Sequence, residues 1–216
     1  MGRGFSALVG ALTLAIGTAA HATDFTAVVV DQDGKPVANA VVSLLTDSTS
    51  ASAPAPASRL PNEKTIDQRN ETFIPLVTIV PKGGRVVFAN NDQTTHQVYS
   101  FSKVKQFEIT LNRGQTSTVT FENTGVAALG CNIHDNMIAY TFVAESPWTG
   151  LTGDDGRVVI NGVPPGGYKA QVWHPKFPPG RPAPTTGVSL SGDTTRWDAT
   201  VKLLPPRLAR SHGGNY

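Results

Sequence analysis

The sequence is poor in the residues that build disulfide frameworks, metal stores and membrane spans. Its 216 residues include one cysteine, Cys131, and only two methionines, Met1 and Met137. A single cysteine has no partner for an intrachain disulfide. One methionine beyond the initiator is too few for an open, methionine-rich metal store. No apolar stretch reaches the roughly 20 residues that a spanning helix needs.

Neither positive nor negative charge is in large excess. The chain carries 18 Lys and Arg against 16 Asp and Glu, a formal net charge of +2. Such a balance provides no basic surface for nucleic acid, so we expect no nucleic-acid partner. Gly (21 residues) and Pro (16 residues) are abundant, and they separate many short β-branched runs. This pattern predicts an all-β fold, and the length favours two modules.

The N-terminus has the features of an export signal. Arg3 precedes an apolar run from about Phe5 to Ile16, and Ala20-His21-Ala22 forms a small-x-small site. Residues 1–22 are therefore predicted to be a signal peptide cleaved after Ala22. The mature protein would begin near Thr23 and be periplasmic or secreted. An exported chain usually pairs its cysteines, so the unpaired thiol needs another explanation.

That explanation lies in a loop that concentrates metal-binding side chains. The run Cys131-x-x-His134-x-x-Met137 offers a thiolate, an imidazole and a thioether within seven residues. Soft sulfur together with imidazole favours copper, and His96 is the best-placed upstream histidine for a fourth ligand. The predicted set is His96, Cys131, His134 and Met137, with one copper per chain. The alternatives are that Cys131 is an inert buried side chain and that Met137 only fills a core.

These motifs resemble the cupredoxins, the small blue copper proteins of the amicyanin and plastocyanin type, and the short ligand loop is most similar to that of amicyanin. The resemblance runs from about Thr65 to Val143 and implies a Greek-key β-sandwich with a type 1 copper and an axial methionine. Further motifs carry it: the Pro81-Lys82-Gly83-Gly84 turn, the Phe-x-Asn-x-Asp run before His96, and Met137-Ile138-Ala139-Tyr140-Thr141-Phe142-Val143. The chain departs from the usual family residues at Thr95, Gln97, Ile133 and Ala139.

The flanking segments resemble a different module. A Val-Val-Asp-x-x-Gly-x-Pro-Val opening near Asp31, and a later Asp154-Asp155-Gly156-Arg157 run followed by Val-Pro-Pro-Gly-x-Tyr, are similar to carboxypeptidase regulatory-like β-sandwiches. The cupredoxin would then be inserted in, or attached to, a second small β-sandwich; the alternative is a cupredoxin with decorated ends. The whole arrangement resembles exported proteins labelled as methylamine-utilisation proteins.

The predicted division follows from these resemblances and from composition. Residues 23–46 would form the first part of the second sandwich and residues 47–64 a Ser/Ala/Pro-rich linker. Residues 65–146 would form the cupredoxin, residues 147–204 the second part of the other sandwich, and residues 205–216 a flexible tail.

The cupredoxin resemblance implies an exported electron shuttle, with His134 as the exit for the electron. Its partner would be a redox protein such as a periplasmic dehydrogenase or a c-type cytochrome. We expect no enzymatic activity, because the copper oxidases and nitrite reductases need a second, histidine-rich centre and the chain has no His-x-His pair. Two alternatives remain open: a copper carrier, and a partner-binding β-sandwich with a structural metal site.

Overall fold

The computed structural model describes residues 22–46, 59–178, 183–192 and 194–205, and every regular element in these ranges is a β-strand. The all-β prediction is therefore confirmed. The strands are β1 (Thr23–Asp31), β2 (Val41–Thr46), β3 (Glu63–Arg69), β4 (Thr72–Ile74), β5 (Val77–Pro81), β6 (Gly84–Asn90), β7 (His96–Ser102), β8 (Lys105–Leu111), β9 (Thr116–Phe121), β10 (Gly125–Cys131), β11 (Ile138–Ala144), β12 (Thr149–Leu151), β13 (Arg157–Val163), β14 (Gly166–Trp173), β15 (Thr185–Leu190) and β16 (Thr194–Val201).

The strands form four sheets in two groups. The sheets β4-β3-β6-β9 and β5-β11-β10-β7-β8 contain only strands from the middle of the chain, and we call this pair the inner sandwich. The sheets β13-β1-β16 and β12-β2-β14-β15 combine the first two strands with the last five, and we call this pair the outer sandwich. The chain thus leaves the outer sandwich after β2 and returns to it with β12.

The inner sandwich is held by alternating side chains that meet between its two sheets. In β6, Val86 and Phe88 are fully buried, whereas Arg85, which precedes Val86 in the same strand, is exposed. This alternation is expected for a strand with one face on a core. The Phe107 ring packs against Phe88 and, edge-on, against Phe121. Cys131 and Met137 belong to this same buried cluster.

The outer sandwich has its own core, and a third cluster joins the two sandwiches. Phe25, Val42 and Tyr168 are among the side chains of the outer core. The joining cluster contains the buried residues Val41, Val77, Ile79 and Ala144, with Leu60, Phe142, Leu151 and Trp173 packed against it. The Trp173 ring lies 5.6 Å from the Tyr140 ring and 5.7 Å from the Phe142 ring, measured between centroids.

Two strand predictions need correction. In the middle of the chain, the sequence predicts strands at 72–80, 85–88, 96–101, 105–111, 116–121 and 138–143. The first of these is not one strand, because Pro75 and Leu76 separate β4 and β5, which lie in different sheets. Proline cannot donate a ladder hydrogen bond, which explains the interruption. The second error is that the predicted strands omit β3, β10, β12, β15 and β16. The β10 strand, for example, has four Gly and Ala residues, one β-branched residue, Val126, and no aromatic residue, and strand prediction relies on β-branched and aromatic residues.

Several sequence predictions fall outside the described residues or at their margins. The signal peptide, apart from Ala22, and the tail, apart from Pro205, lie outside them, as do residues 47–58 of the linker. The predicted domain boundaries therefore remain predictions. Among the described residues, no helix is long and apolar enough to cross a membrane.

Candidate metal centre

Antiparallel strand pairing brings His96 and Cys131 together. His96 is the first residue of β7, and Cys131 is the last residue of β10. In the β7–β10 pair, Cys131 lies opposite Val98, two residues from His96. Side chains two apart on a strand share a face, so His96 and Cys131 point into the same end of the core. His134 follows in the loop that leads from β10 to β11.

The three side chains converge on one point. Cys131 Sγ lies 3.7 Å from His96 Nδ1 and 3.9 Å from His134 Nδ1. One donor atom from each of the three residues lies within 4.8 Å of the other two. A first-row metal ion at about 2.3 Å from sulfur and about 2.0–2.1 Å from nitrogen separates such atoms by roughly 3.6–3.8 Å at angles near 110–120°. The two sulfur–nitrogen distances of 3.7 and 3.9 Å are therefore close to those expected around a bound ion.

The fourth predicted ligand, Met137, is buried close to Cys131 in the core of the inner sandwich. Its side chain is 3 % exposed and belongs to the core cluster that includes Cys131. Its backbone N–H donates to the His134 carbonyl oxygen at 3.1 Å, which closes a tight turn between the two residues. The axial role of Met137 therefore stays a prediction.

His96 is fully buried and is oriented by a carboxylate. Its Nε2 lies 3.1 Å from Asp92 Oδ2 and 3.4 Å from the Thr94 hydroxyl. A carboxylate accepts but does not donate when ionised, so Nε2 carries the ring proton and the lone pair of Nδ1 faces Cys131. Histidine ligands are commonly fixed in this way by a carboxylate behind the ring. Asp92 thus selects the tautomer that binds metal.

Asp92 is itself held in its ionised form. The backbone N–H of Glu71 donates to Oδ2 at 2.7 Å, and the N–H of Gln93 donates to Oδ1 at 2.8 Å. The hydrogen bond from Glu71 has the largest effect, and with those from Gln93 and His96 it lowers the pKa of Asp92 below its ordinary value of 3.8. Burial of the carboxylate opposes this shift.

Asn90 fixes the loop that carries Asp92. Its buried amide donates to the carbonyl oxygens of Thr94 and Leu111, both at 2.8 Å, and its Oδ1 accepts the backbone N–H of Asp92 at 2.9 Å. A buried amide with three satisfied hydrogen bonds holds its surroundings in one arrangement. Asn90 therefore sets the position of the loop between β6 and β7, and with it the position of the carboxylate behind His96.

His134 has a more open environment than His96. Its side chain is 18 % exposed, and its Nε2 lies 3.5 Å from Glu71 Oε1. The two imidazole rings lie 4.9 Å apart between centroids. The sequence alone identified neither Asp92, Asn90 nor Glu71 as supports of the site. The Phe-x-Asn-x-Asp run before His96 contributed to the family resemblance, but it did not indicate that Asn90 or Asp92 supports the site.

Comparisons with known proteins find similarity in structure only. No known family profile matches the sequence, and no curated protein matches it. Among solved structures, a purple cupredoxin from Nitrosopumilus maritimus matches with 22% identity and a TM-score of 0.35, covering 37% of this chain and 98% of that one. A reduced amicyanin variant matches with 17% identity and a TM-score of 0.36, covering 48% of this chain and 98% of that one. Another amicyanin variant, in the Cu(I) state, matches with 18% identity and a TM-score of 0.35, covering 48% of this chain and 98% of that one.

Proposed function

We propose that this chain is a mononuclear type 1 (blue) copper protein that shuttles single electrons between redox partners. The observation that carries the proposal is the convergence of Cys131 Sγ with the Nδ1 atoms of His96 and His134, at 3.7 and 3.9 Å. Two imidazoles and one thiolate in a trigonal arrangement are the equatorial ligands of such sites. Met137 would supply the weak axial thioether.

The residues around the site suit a one-electron task. Copper bound there supplies a couple between two oxidation states one electron apart. His96 and Cys131 are anchored at the ends of two paired strands, and Asn90 and Asp92 fix the loop behind His96. Ligands held this firmly change little when the charge at the site changes, and a site that need not be rebuilt exchanges electrons readily.

His134 is the proposed exit for the electron because it is the least buried of the three ligands. Ile133, which precedes His134, and Ile138, which follows Met137, are large apolar residues that are 54% and 49% exposed. An exposed apolar surface next to a redox ligand suits transient docking of a partner protein. We propose that this partner is a redox protein such as a periplasmic dehydrogenase or a c-type cytochrome, reached after export of the chain.

We also propose that the chain is not an enzyme. Among the described residues, one group of histidine, cysteine and acidic side chains is placed to hold a metal ion, that of His96, Cys131 and His134. A copper enzyme that reduces a bound substrate would need a second centre. His174, the remaining described histidine, instead accepts the backbone N–H of Lys176 at 3.1 Å and lies 3.2 Å from the Ala38 carbonyl oxygen.

The visible spectrum of the Cu(II) protein tests the proposal. We expect one equivalent of copper per chain and a strong thiolate-to-copper band that dithionite bleaches and an oxidant restores. Cys131→Ser should abolish the band, because an alcohol is a far weaker and harder ligand than a thiolate. His174→Gln, at a histidine outside the site, is the matched control and should keep the band. A colourless Cu(II) complex, or a band that survives Cys131→Ser, would refute the proposal.

A further inference from the structure

The hairpin turn between β3 and β4 contains a side chain where glycine would fit better. Arg69 pairs with Thr72 across the hairpin, which leaves Asn70 and Glu71 as its two-residue loop. Both have positive φ, 49° and 53°. Two-residue turns of this kind favour asparagine first and glycine second. Asn70 follows that preference, whereas Glu71 places a Cβ in the left-handed region, and such an outlier prompts a search for its function.

Glu71 contacts the carboxylate that supports His96 and also contacts His134 itself. Its backbone N–H donates to Asp92 Oδ2 at 2.7 Å, and that same oxygen lies 3.1 Å from His96 Nε2. Its side chain reaches the other ligand, because Oε1 lies 3.5 Å from His134 Nε2. The backbone half of this arrangement needs no particular side chain. Only the contact with His134 requires a carboxylate, so that contact is where the choice of Glu71 has an effect.

We propose that Glu71 is a positioning residue that holds His134 in its metal-binding tautomer and lowers the reduction potential of the site. This inference rests on the proposed function. With Nδ1 facing Cys131, the ring proton of neutral His134 sits on Nε2, opposite the carboxylate. A carboxylate behind a histidine ligand fixes the ring and makes it a stronger donor. Its negative charge also stabilises the more highly charged state of the ion, so both effects favour Cu(II) over Cu(I).

The size of the effect follows from exposure. Removing an outer carboxylate partner typically weakens metal binding by about 10–100-fold. The Glu71 side chain is 60% exposed, and solvent screens its charge, so we expect the lower end, about tenfold for Cu(II). With Cu(I) affinity unchanged, a tenfold loss for Cu(II) corresponds to a potential higher by about 59 mV for one electron.

Three variants of the turn separate the carboxylate from the backbone. Glu71→Gly removes the carboxylate and relieves the positive φ, while the N–H to Asp92 remains. Glu71→Gln removes the charge alone and keeps the strained backbone. Asn70→Gly is the matched control, because it relieves the neighbouring positive φ and leaves the carboxylate in place. The melting temperature of the metal-free protein should be unchanged or higher in both glycine variants. Such a result excludes misfolding as the cause of any loss of Cu(II) binding.

The measurements are the Cu(II) dissociation constant by competition with a chelator and the reduction potential by protein-film voltammetry. We expect Glu71→Gly and Glu71→Gln to bind Cu(II) about tenfold more weakly and to have a higher potential, and Asn70→Gly to match the wild type in both. Equal Cu(II) affinity and potential in the wild type and both Glu71 variants would overturn the inference. A wild-type protein without the blue band would instead refute the type 1 site, and the dissociation constants would still decide the role of Glu71.

Discussion

Asp92→Asn is the sharpest test of how the buried ligand is held. The substitution keeps the shape of the side chain and removes its charge. Asp92 Oδ2 now receives the N–H of Glu71 at 2.7 Å and faces His96 Nε2 at 3.1 Å, while Oδ1 receives the N–H of Gln93 at 2.8 Å. An amide has only one acceptor oxygen. Whichever way it points, its NH₂ group faces an N–H donor on the other side.

The cheaper orientation puts the amide oxygen in the position of Oδ2. It preserves the contacts with Glu71 and His96 and leaves the Gln93 N–H opposite the amide nitrogen. A buried donor left without an acceptor costs about 1–3 kcal/mol, and we expect about 1 kcal/mol here because Gln93 is exposed and water can reach its N–H. The loss of charge behind His96 acts on the metal instead, with about 10–100-fold weaker Cu(II) binding.

The assay compares Asp92→Asn with Asp67→Asn, each as metal-free and Cu(II) protein. Asp67 Oδ1 accepts hydrogen bonds from the Gln68 N–H and the Asn91 amide, and Oδ2 pairs with Arg69 Nε at 2.6 Å. Its amide variant therefore also replaces a carboxylate whose two oxygens both have partners, without touching a proposed ligand. Urea unfolding of the metal-free proteins should show losses of similar size. Chelator competition should show weaker Cu(II) binding for Asp92→Asn alone. Wild-type affinity in Asp92→Asn would mean that the carboxylate does not orient His96.

Two further predictions concern Met137 and His174. Met137→Leu should keep copper and colour but raise the reduction potential, because an apolar axial neighbour disfavours Cu(II); an unchanged potential in voltammetry would mean that Met137 only packs. Burial lowers the pKa of His174 below its ordinary 6.5 and outweighs the hydrogen bond to the Ala38 oxygen. The folded state therefore binds this proton less readily than the unfolded state, and the contribution of neutral His174 to stability, complete above pH 6.5, is lost as the pH falls towards the lower folded pKa. Urea unfolding of the metal-free proteins should show a wild-type stability that declines more below pH 6.5 than that of His174→Gln, whereas parallel declines would contradict the assignment.

The sequence indicated the proposed ligand residues better than the residues that support them. Cys131 and His134 are three residues apart, so one loop brings them together and a spacing pattern detects them. His96 needed only the antiparallel partnership of β7 and β10 to join them. The carboxylates of Asp92 and Glu71 reach the histidines through a loop and a hairpin turn whose geometry depends on packing. No local pattern encodes such contacts. Glu71 even occupies, at positive φ, a turn position where glycine is the preferred residue.

Prediction of the strands succeeded at several strands with alternating side chains; it failed at Pro75, which interrupts a predicted strand, and at β10, where packing requires small residues. β10 escaped detection because Gly125, Ala127, Ala128 and Gly130 give no alternating apolar signal. The structure supplies a reason at Gly130: a Cβ there would lie 2.6 Å from the Tyr99 ring on the adjacent strand. The position before Cys131 is therefore small because the neighbouring strand fills the space above it, and a neighbouring strand is invisible to a reading of one sequence.

The outer sandwich covers only part of β11, the strand that follows the loop with His134 and Met137. Ile138, Tyr140 and Phe142 alternate onto the same face of this strand. The rings of Tyr140 and Phe142 pack against Trp173 of the outer sandwich, whereas Ile138 is 49% exposed. Two residues, or about 7 Å at the rise of a strand, separate the covered part of this face from the exposed part. Because Ile138 directly follows Met137 and lies on the exposed side of that limit, the outer sandwich supports the far end of β11 and leaves Ile138, next to the proposed ligand loop, exposed.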